Sequence, residues 1–491
     1  VATSRPLRVV LEVEPALVSE LGSQRLIWLL VTLLSRNTTS VIETIGLGVV
    51  DVPLLAGVDP HAPSGGPSLV ETLTGVAHAF GPHAAPIIDA DGLDSADLVL
   101  QVGTAVRVWR AAEVLYIAAD GWTGAVAPTS TDLPPCRLAS ENPFGPYVAA
   151  CLASSEVYKA ARVRGHSSRP GAINAWALTR AATDLSVVAS MDPGEPPAHL
   201  DHVLAGVGAV GSAFLLALWS YRQASGTIRA ADADTVGIDE TNLNRCVPFC
   251  CSDIGRPKAA VAAERLTGHH GLSIQSTDGH AEQLVGPQTH LVSAVDTANA
   301  RQALQDKYPA SAIQASTSGL RLEMLRVDPT ESTACLRCFN PPREATPDRE
   351  VRARVADMDA ATIVGHAAAV GTSPDNIRDW GRTGGCGQIG DALLERLRPS
   401  DSSPAQFSVG FMSVLAGTLL AAQAIKDAVR RAGDPDRATD GVPLVGAQAR
   451  FVAGLLDSVD VIGGVRRYGR DIECPACQGV RADMWEKRWS G

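Results

Sequence analysis

The sequence has no surplus of positive charge. Among 491 residues, 42 Lys and Arg face 53 Asp and Glu, leaving a net charge of −11. Binding to nucleic acid through bulk electrostatics is disfavoured on that balance. Cysteine is sparse, since ten in this length is far below the density of a secreted disulfide scaffold. Long hydrophobic runs are missing too. The longest apolar stretches, such as Leu26–Leu34, fall well short of the ~20 residues of a membrane span. Residues Val1–Pro15 show no basic region followed by an apolar core. A cytoplasmic protein bound to neither membrane nor nucleic acid is therefore expected. The 11 His form no H-E-x-x-H zinc motif, and no G-x-S-x-G elbow occurs, so hydrolase readings gain nothing. No repeat of solenoid period is visible.

What remains is a globular composition. Hydrophobic residues make up 45% and charged residues 19%, which excludes wholesale disorder. The length corresponds to roughly three domain-sized units, ample for a core without disulfide staples.

Residues 1–195 read as mixed α/β. Pro6–Val13 is strand-like, 16–35 has helix length with a broad apolar face, and Phe144–Val163 is strongly helix-favouring. Gly, Pro and Ser punctuate 165–174 and 191–199, which places a domain boundary near 195. From 200 onward strands and helices alternate at short pitch: His202–Gly208 and Thr227–Asp232 as strands, with Ala209–Gln223 as the helix between. That alternation predicts a parallel, doubly wound sheet. Residues 341–405 break the pattern and read as an excursion, after which 408–431 is a long apolar helix.

Gly206-Val-Gly208-Ala-Val-Gly211 is G-x-G-x-x-G between a predicted strand and helix. Glycines permit a tight turn and close backbone approach to phosphate, and the helix start supplies amide donors. Asp232 closes the next strand 21 residues beyond Gly211, a spacing suited to a carboxylate on ribose hydroxyls. Asn242, Arg245 and Lys258 then add polar and cationic groups. Hydride transfer has no need of several cations there. Cleavage of ATP at the α-phosphate does, because charge builds on phosphorus and on departing pyrophosphate. Asp296 ends a further strand at the carboxyl edge, where it suits magnesium. Taken singly, each of these residues is as well explained by a surface salt bridge. Cys335-x-x-Cys338 and Cys474-x-x-Cys477 suit a four-thiolate zinc site, although 136 residues separate the two pairs.

In this order, GVGAVG, ADAD, NLNR, DIGRPK, AVD and paired C-x-x-C resemble the ThiF and ubiquitin-activating enzyme superfamily over roughly 200–491. The closest likeness is to the activating enzymes of bacterial, antiphage ubiquitin-like conjugation operons. Two departures stand out: a longer stretch between Asp234 and Asn242, and Cys246 where the family has Gln. The resemblance implies a Rossmann-like adenylation domain over 196–491, with 341–405 as a crossover carrying the catalytic cysteine. It also implies that 1–195 is a degenerate, inactive adenylation-like domain; an unrelated α/β domain is the alternative.

The implied reaction is adenylation of the C-terminal glycine of a ubiquitin-like protein, with ATP and magnesium as cofactors and zinc as a structural metal. Thioester formation and transfer to a conjugating-type enzyme would follow, in a monomer or homodimer. The matching positions imply ATP on Gly206, Gly208, Gly211, Asp232, Asn242, Arg245 and Lys258, and magnesium on Asp296. Cys386, flanked by glycines, is the implied nucleophile; an inert loop cysteine is the alternative, and Cys250 and Cys251 are its rivals. The family also sends an arginine from the partner unit to the phosphates. Arg25, early in the first helix, is the candidate, against a solvated surface arginine. Three rival functions remain open: a sulfur-carrier adenylyltransferase, an NAD-dependent oxidoreductase and a non-catalytic scaffold.

Overall fold

The computed structural model describes residues 6–340 apart from 38–40, 63–66, 82–83, 105–106, 110–112, 164, 183–184, 186–187, 189–191, 235–237, 239, 268–269 and 328–333. It further describes 348–383, Leu393, Leu397, 409–433, 449–454, 466–467 and 474–489.

The chain builds an α/β fold around two eight-stranded sheets. The first runs β1 (Leu7–Val13), β2 (Ile42–Gly48), β3 (Ile87–Asp89), β4 (Leu98–Val102), β5 (Glu113–Asp120), β6 (Thr123–Ala127), β7 (Gly171–Asn174) and β8 (Thr179–Ala181). The second runs β9 (Ala198–Ala205), β10 (Ala224–Asp232), β11 (Gly271–Asp278), β12 (His290–Ser293), β13 (Ser311–Ser318), β14 (Arg321–Val327), β15 (Ala449–Gly454) and β16 (Arg466–Arg467). The spatial order is β3-β2-β1-β4-β5-β6-β7-β8, and the second sheet repeats it as β11-β10-β9-β12-β13-β14-β15-β16. The directions repeat as well. The first five strands of each order are parallel and the rest antiparallel. In each sheet the order reverses beside the first strand, which opens a crevice at the carboxyl edge.

Both sheets lie in one compact unit, residues 1–340 with 408–491. Position 195, where the sequence suggests a domain boundary, lies in the connection between β8 and β9, inside that one unit. Four helices occupy the interior of this unit: α1 (Leu21–Ser35), α2 (Phe144–Arg162), α3 (Ala209–Ser220) and α4 (Gly410–Arg431). Helix α4 packs on α3 within its own half and on α2 of the other. Every residue of α1 from Gly22 to Ser35 is buried, which explains an apolar pattern too broad for a surface helix. Gly417 sets the approach of α4 to α3, because a Cβ there would lie 2.5 Å from the Val210 carbonyl oxygen. Helix α4 has the length and hydropathy of a membrane span, contrary to the reading that no stretch does, and its entire apolar window is buried within the molecule.

Residues 341–407 form a second compact unit. What reads in sequence as an excursion has its own helices, Asp348–Asp357, Ala360–Val370 and Pro374–Thr383. Asp359 caps the second of these by accepting from the Thr362 amide at 2.9 Å, and Gly371 ends it at φ +67°. Val351, Val355, Ile363, Ile377, Trp380, Leu393 and Leu397 supply a core. Cys386 lies outside the described residues.

The halves of the first unit are joined by buried polar groups that seek backbone carbonyls. Gln423 and Lys426 of α4 both donate to the Trp176 oxygen, Lys426 at 3.0 Å. Burial pushes Lys426 down to about 7, against about 10.4 for a free lysine. Between those values the unfolded chain holds a proton that the folded chain does not, so stability rises with pH across that window. Lys426→Met should flatten the rise by roughly 2 kcal/mol between pH 7 and pH 9. Urea midpoints of the two proteins at both pH values check this, and parallel slopes would refute it.

Candidate functional site

The three glycines of the first motif differ in their surroundings. Gly206, directly after β9, takes φ +89°, and a Cβ there would lie 3.0 Å from the Ala294 carbonyl oxygen. At Gly211 a Cβ would lie 2.0 Å from the Gly206 oxygen, so only glycine lets α3 come down on its strand. Around Gly208 a Cβ would meet nothing within 4 Å, which leaves the backbone open to a ligand. Gly208 is also the N-cap of α3 and makes no side-chain capping bond. The first amides of α3 thus keep their donors for an anion, with the helix dipole behind them.

Asp232 ends β10 and clasps this turn. Its Oδ2 accepts from the Val207 amide at 2.6 Å and its Oδ1 from the Asp234 amide at 2.9 Å. Asp232, Asp234, Lys258, Ser276 and Asp278 line one small pocket at the carboxyl ends of β10 and β11. Lys258 opens the helix Lys258–Leu266, is 7% exposed and pairs with the Asp234 carboxylate. Asp296 is exposed just beyond β12, whose end is tied to β9 by the Ala294 amide donating to Ala205 at 2.8 Å.

The loop after β10 brings Asn242 and Arg245 to the same edge. Asn242 is buried, whereas Arg245 is half-buried, and its guanidinium makes no hydrogen bond or ion pair among the described residues. The start of α4 bears on this loop, since a Cβ on Gly410 would lie 2.7 Å from the Asn244 oxygen. Cys246, in the position where Gln is expected by resemblance, is buried and hydrogen-bonds Ser212 on α3. Burial pushes its thiol up to about 11, which makes it a packing residue at neutral pH. Cys250 is buried against Asp253, with the Arg265 guanidinium 3.2 Å from its sulfur, while Cys251 is exposed.

One predicted residue is not brought to this edge. Arg25 is fully buried and donates to the carbonyls of Gly57, Glu141 and Ser220, the last at 2.6 Å. Ser220 is at the far end of α3, about 18 Å along the helix from the glycine turn. The expected phosphate ligand is thus corrected to an interior strut, with its donors committed to carbonyls and its charge favourably placed at a helix C-terminus. Cys386, as noted, falls on residues not described. A residue missed in sequence is Arg36, whose guanidinium grips the loop that carries Arg245. An arginine closing an apolar run carries no sign of partners more than 200 residues away.

The four cysteines of the two C-x-x-C pairs meet as the zinc reading expects. Their sulfurs all lie within 4.8 Å of one another, with Cys335–Cys338 at 3.8 Å, Cys335–Cys474 at 3.7 Å and Cys338–Cys477 at 3.5 Å. Four sulfurs about 2.3 Å from a tetrahedral zinc stand about 3.8 Å apart, and a disulfide needs about 2.05 Å, so the cluster fits zinc. It belongs to a core with Leu304, Tyr308, Leu336, Ala476 and Trp485. The Trp485 indole donates to the Pro309 oxygen at 2.7 Å, so the C-terminal segment is held to the sheet at two points.

Residues 198–439 match the ThiF family. No curated protein matches the chain. The family match begins at β9 and takes in the glycine turn, Asp232, Arg245, Lys258 and Asp296. It supports a place in the ThiF and E1-like superfamily, an enzyme of adenylyltransferase class, ATP with magnesium, and a ubiquitin-like or sulfur-carrier protein as the acceptor. The first sheet lies outside the match.

Purified full-length protein should carry zinc close to one per chain by elemental analysis. Cys474→Ser should remove most of it and lower the thermal midpoint by at least ~5 °C, because the ligand set binds only the folded chain. A metal-free wild type with the midpoint of the variant would remove the assignment.

Proposed function

We propose that this protein activates the C-terminal glycine of a ubiquitin-like protein by adenylation, in the cytoplasm, and then holds it as a thioester on Cys386. Arg245 carries the reading: a half-buried guanidinium with no counter-ion among the described residues, on the loop that packs against the first turns of α3. A cation so placed, with the open amides after Gly208, is suited to the phosphates of ATP.

In the first step a carboxylate oxygen of the carrier attacks the α-phosphorus. The bond to the bridging oxygen breaks, giving acyl-adenylate and pyrophosphate. Gly206, Gly208 and Gly211 let the backbone cradle the phosphates, and Asp232 takes the ribose hydroxyls with its remaining lone pairs. Asn242, Arg245 and Lys258 stabilise the charge that grows on the phosphoryl oxygens and the leaving group. Lys258 would exchange Asp234 for phosphate. Asp296 offers an exposed carboxylate suited to a hard cation, and magnesium bound there would neutralise phosphate charge. In the second step the Cys386 thiolate attacks the acyl carbon. A C–S bond forms, the C–O bond to AMP breaks, and the thiol proton goes to solvent. A conjugating-type enzyme would then receive the acyl group, as in bacterial antiphage conjugation. Stopping at the adenylate would make the protein a sulfur-carrier adenylyltransferase.

We infer that the first half is an inactive counterpart of the second. Its strand order is the same, but Glu14-Pro15 follows β1 where Gly206 follows β9. Its crevice at the carboxyl edge is lined by Glu14, Thr104, Tyr116, Ser130 and Cys136, with no lysine or arginine among the described lining residues. Those residues offer no cation to a triphosphate.

With magnesium, ATP and a ubiquitin-like protein ending in glycine, the wild type should catalyse ATP–pyrophosphate exchange. Arg245→Ala and Lys258→Ala should each lower it by about 10²-fold. Cys386→Ala should retain exchange and lose the reductant-sensitive band on a non-reducing gel. Persistence of that band would reassign the nucleophile, and unchanged exchange in both cation variants would reject the phosphate site.

A further inference from the structure

We propose that Arg36, from the first half of the chain, is the positioning residue for the adenylation site: it fixes the shape of the loop 243–249, which carries Arg245. The kinetic part of this inference rests on the adenylation reading above.

Arg36 immediately follows α1, and its own amide closes that helix on Leu34. The side chain runs into the second half and is 6% exposed. One terminal nitrogen donates to the carbonyls of Leu243 and Cys246, the latter at 3.0 Å. The other donates to Val247 at 3.0 Å and Phe249 at 2.8 Å. The guanidinium also stands over the Phe80 ring, 5.5 Å from its centroid.

Four carbonyls from one seven-residue stretch thus converge on a single planar cation. Carbonyl dipoles pointed at a common centre repel one another, so this loop conformation depends on the charge at its centre. No carboxylate lies within ion-pair distance of Arg36 among the described residues, so the carbonyls supply its stabilisation. A planar fork with several fixed donors matches that arrangement, whereas an ammonium supplies one point charge.

The same half anchors the other flank of the site. His61 bonds the Arg265 guanidinium, which in turn binds the Asp253 carboxylate at 2.6 Å. Arg265 belongs to the helix that Lys258 opens. Burial, with Arg265 and Arg36 beside it, pushes His61 down to about 3, so it meets Arg265 as a neutral acceptor. The loop of Arg245 and the helix of Lys258 are therefore both braced from the first sheet. Displacing a transition-state group by about 1 Å can cost 10²-fold in rate.

The test uses the full chain with Arg36→Lys and Arg36→Gln. Hydrogen exchange should show wild-type amides of 243–249 protected to a degree comparable with the strands. Exchange there should rise at least about 10-fold in both variants, with the glycine turn 206–211 and sheet β1–β5 unchanged. Magnesium–ATP affinity by titration calorimetry should fall about 10-fold or more in Arg36→Gln, and less in Arg36→Lys. Fast exchange across 243–249 in the wild type overturns the proposal without any variant. So does a folded Arg36→Gln with wild-type loop protection. Absence of magnesium–ATP binding by the wild type would sink the adenylation reading, leaving the exchange data to decide the positioning role.

Discussion

Much of the first compact unit depends on one kind of interaction, the capture of backbone carbonyls by buried basic side chains. Arg25, Arg36 and Lys426 each reach across from one sheet's half to carbonyls of the other. A buried guanidinium that meets only carbonyls is held by geometry, because no single counter-ion can compensate a misplaced donor. Losing it would leave several buried acceptors bare at about 1–3 kcal/mol each. The halves are thereby fixed in register as well as in contact. An apolar interface alone tolerates sliding, whereas one with addressed carbonyls does not.

That register matters because the site is assembled from pieces that do not support themselves. The glycine turn is shaped by Ala294 and Asp232, the loop of Arg245 by Gly410 and Arg36, and the helix of Lys258 by the Arg265 and His61 contact. Only the glycine turn is built wholly from the sheet that bears it. The two cationic flanks take contacts from the first half, which ties the order of the site to both halves of the chain.

The legible parts of the sequence were those whose physics is local. A glycine turn needs three glycines within six residues; steric demand accounts for Gly206 and Gly211, and open space beside the backbone marks Gly208. Strands β1, β4, β9 and β10 announce themselves by β-branched or apolar runs, and the two C-x-x-C pairs by their spacing. The illegible parts were those set by partners far along the chain. Arg25 and Arg36 occupy the same apolar helix and its end, and nothing in their neighbours separates a strut to Ser220 from a clamp on Leu243–Phe249. The repeat of strand order was implied only by the family resemblance and by no residue motif shared between the halves. Topology is preserved there while the residues that would reveal it, at Glu14-Pro15 against Gly206, have diverged.

The contrast between the two sheets shows where function resides. Both share the same reversal of strand order, where open sheets of this kind take their ligands, so the topology alone does not tell them apart. The second sheet puts an open helix N-terminus, Arg245 and Lys258 at its edge. The first turns Arg25 and Arg36 inward to carbonyls and leaves Glu14 at its crevice. Those two arginines serve the joint between the halves. Equal topology with differently placed cations therefore gives the two carboxyl edges different chemistry, and on the proposed reading the first half acts on the second through Arg36.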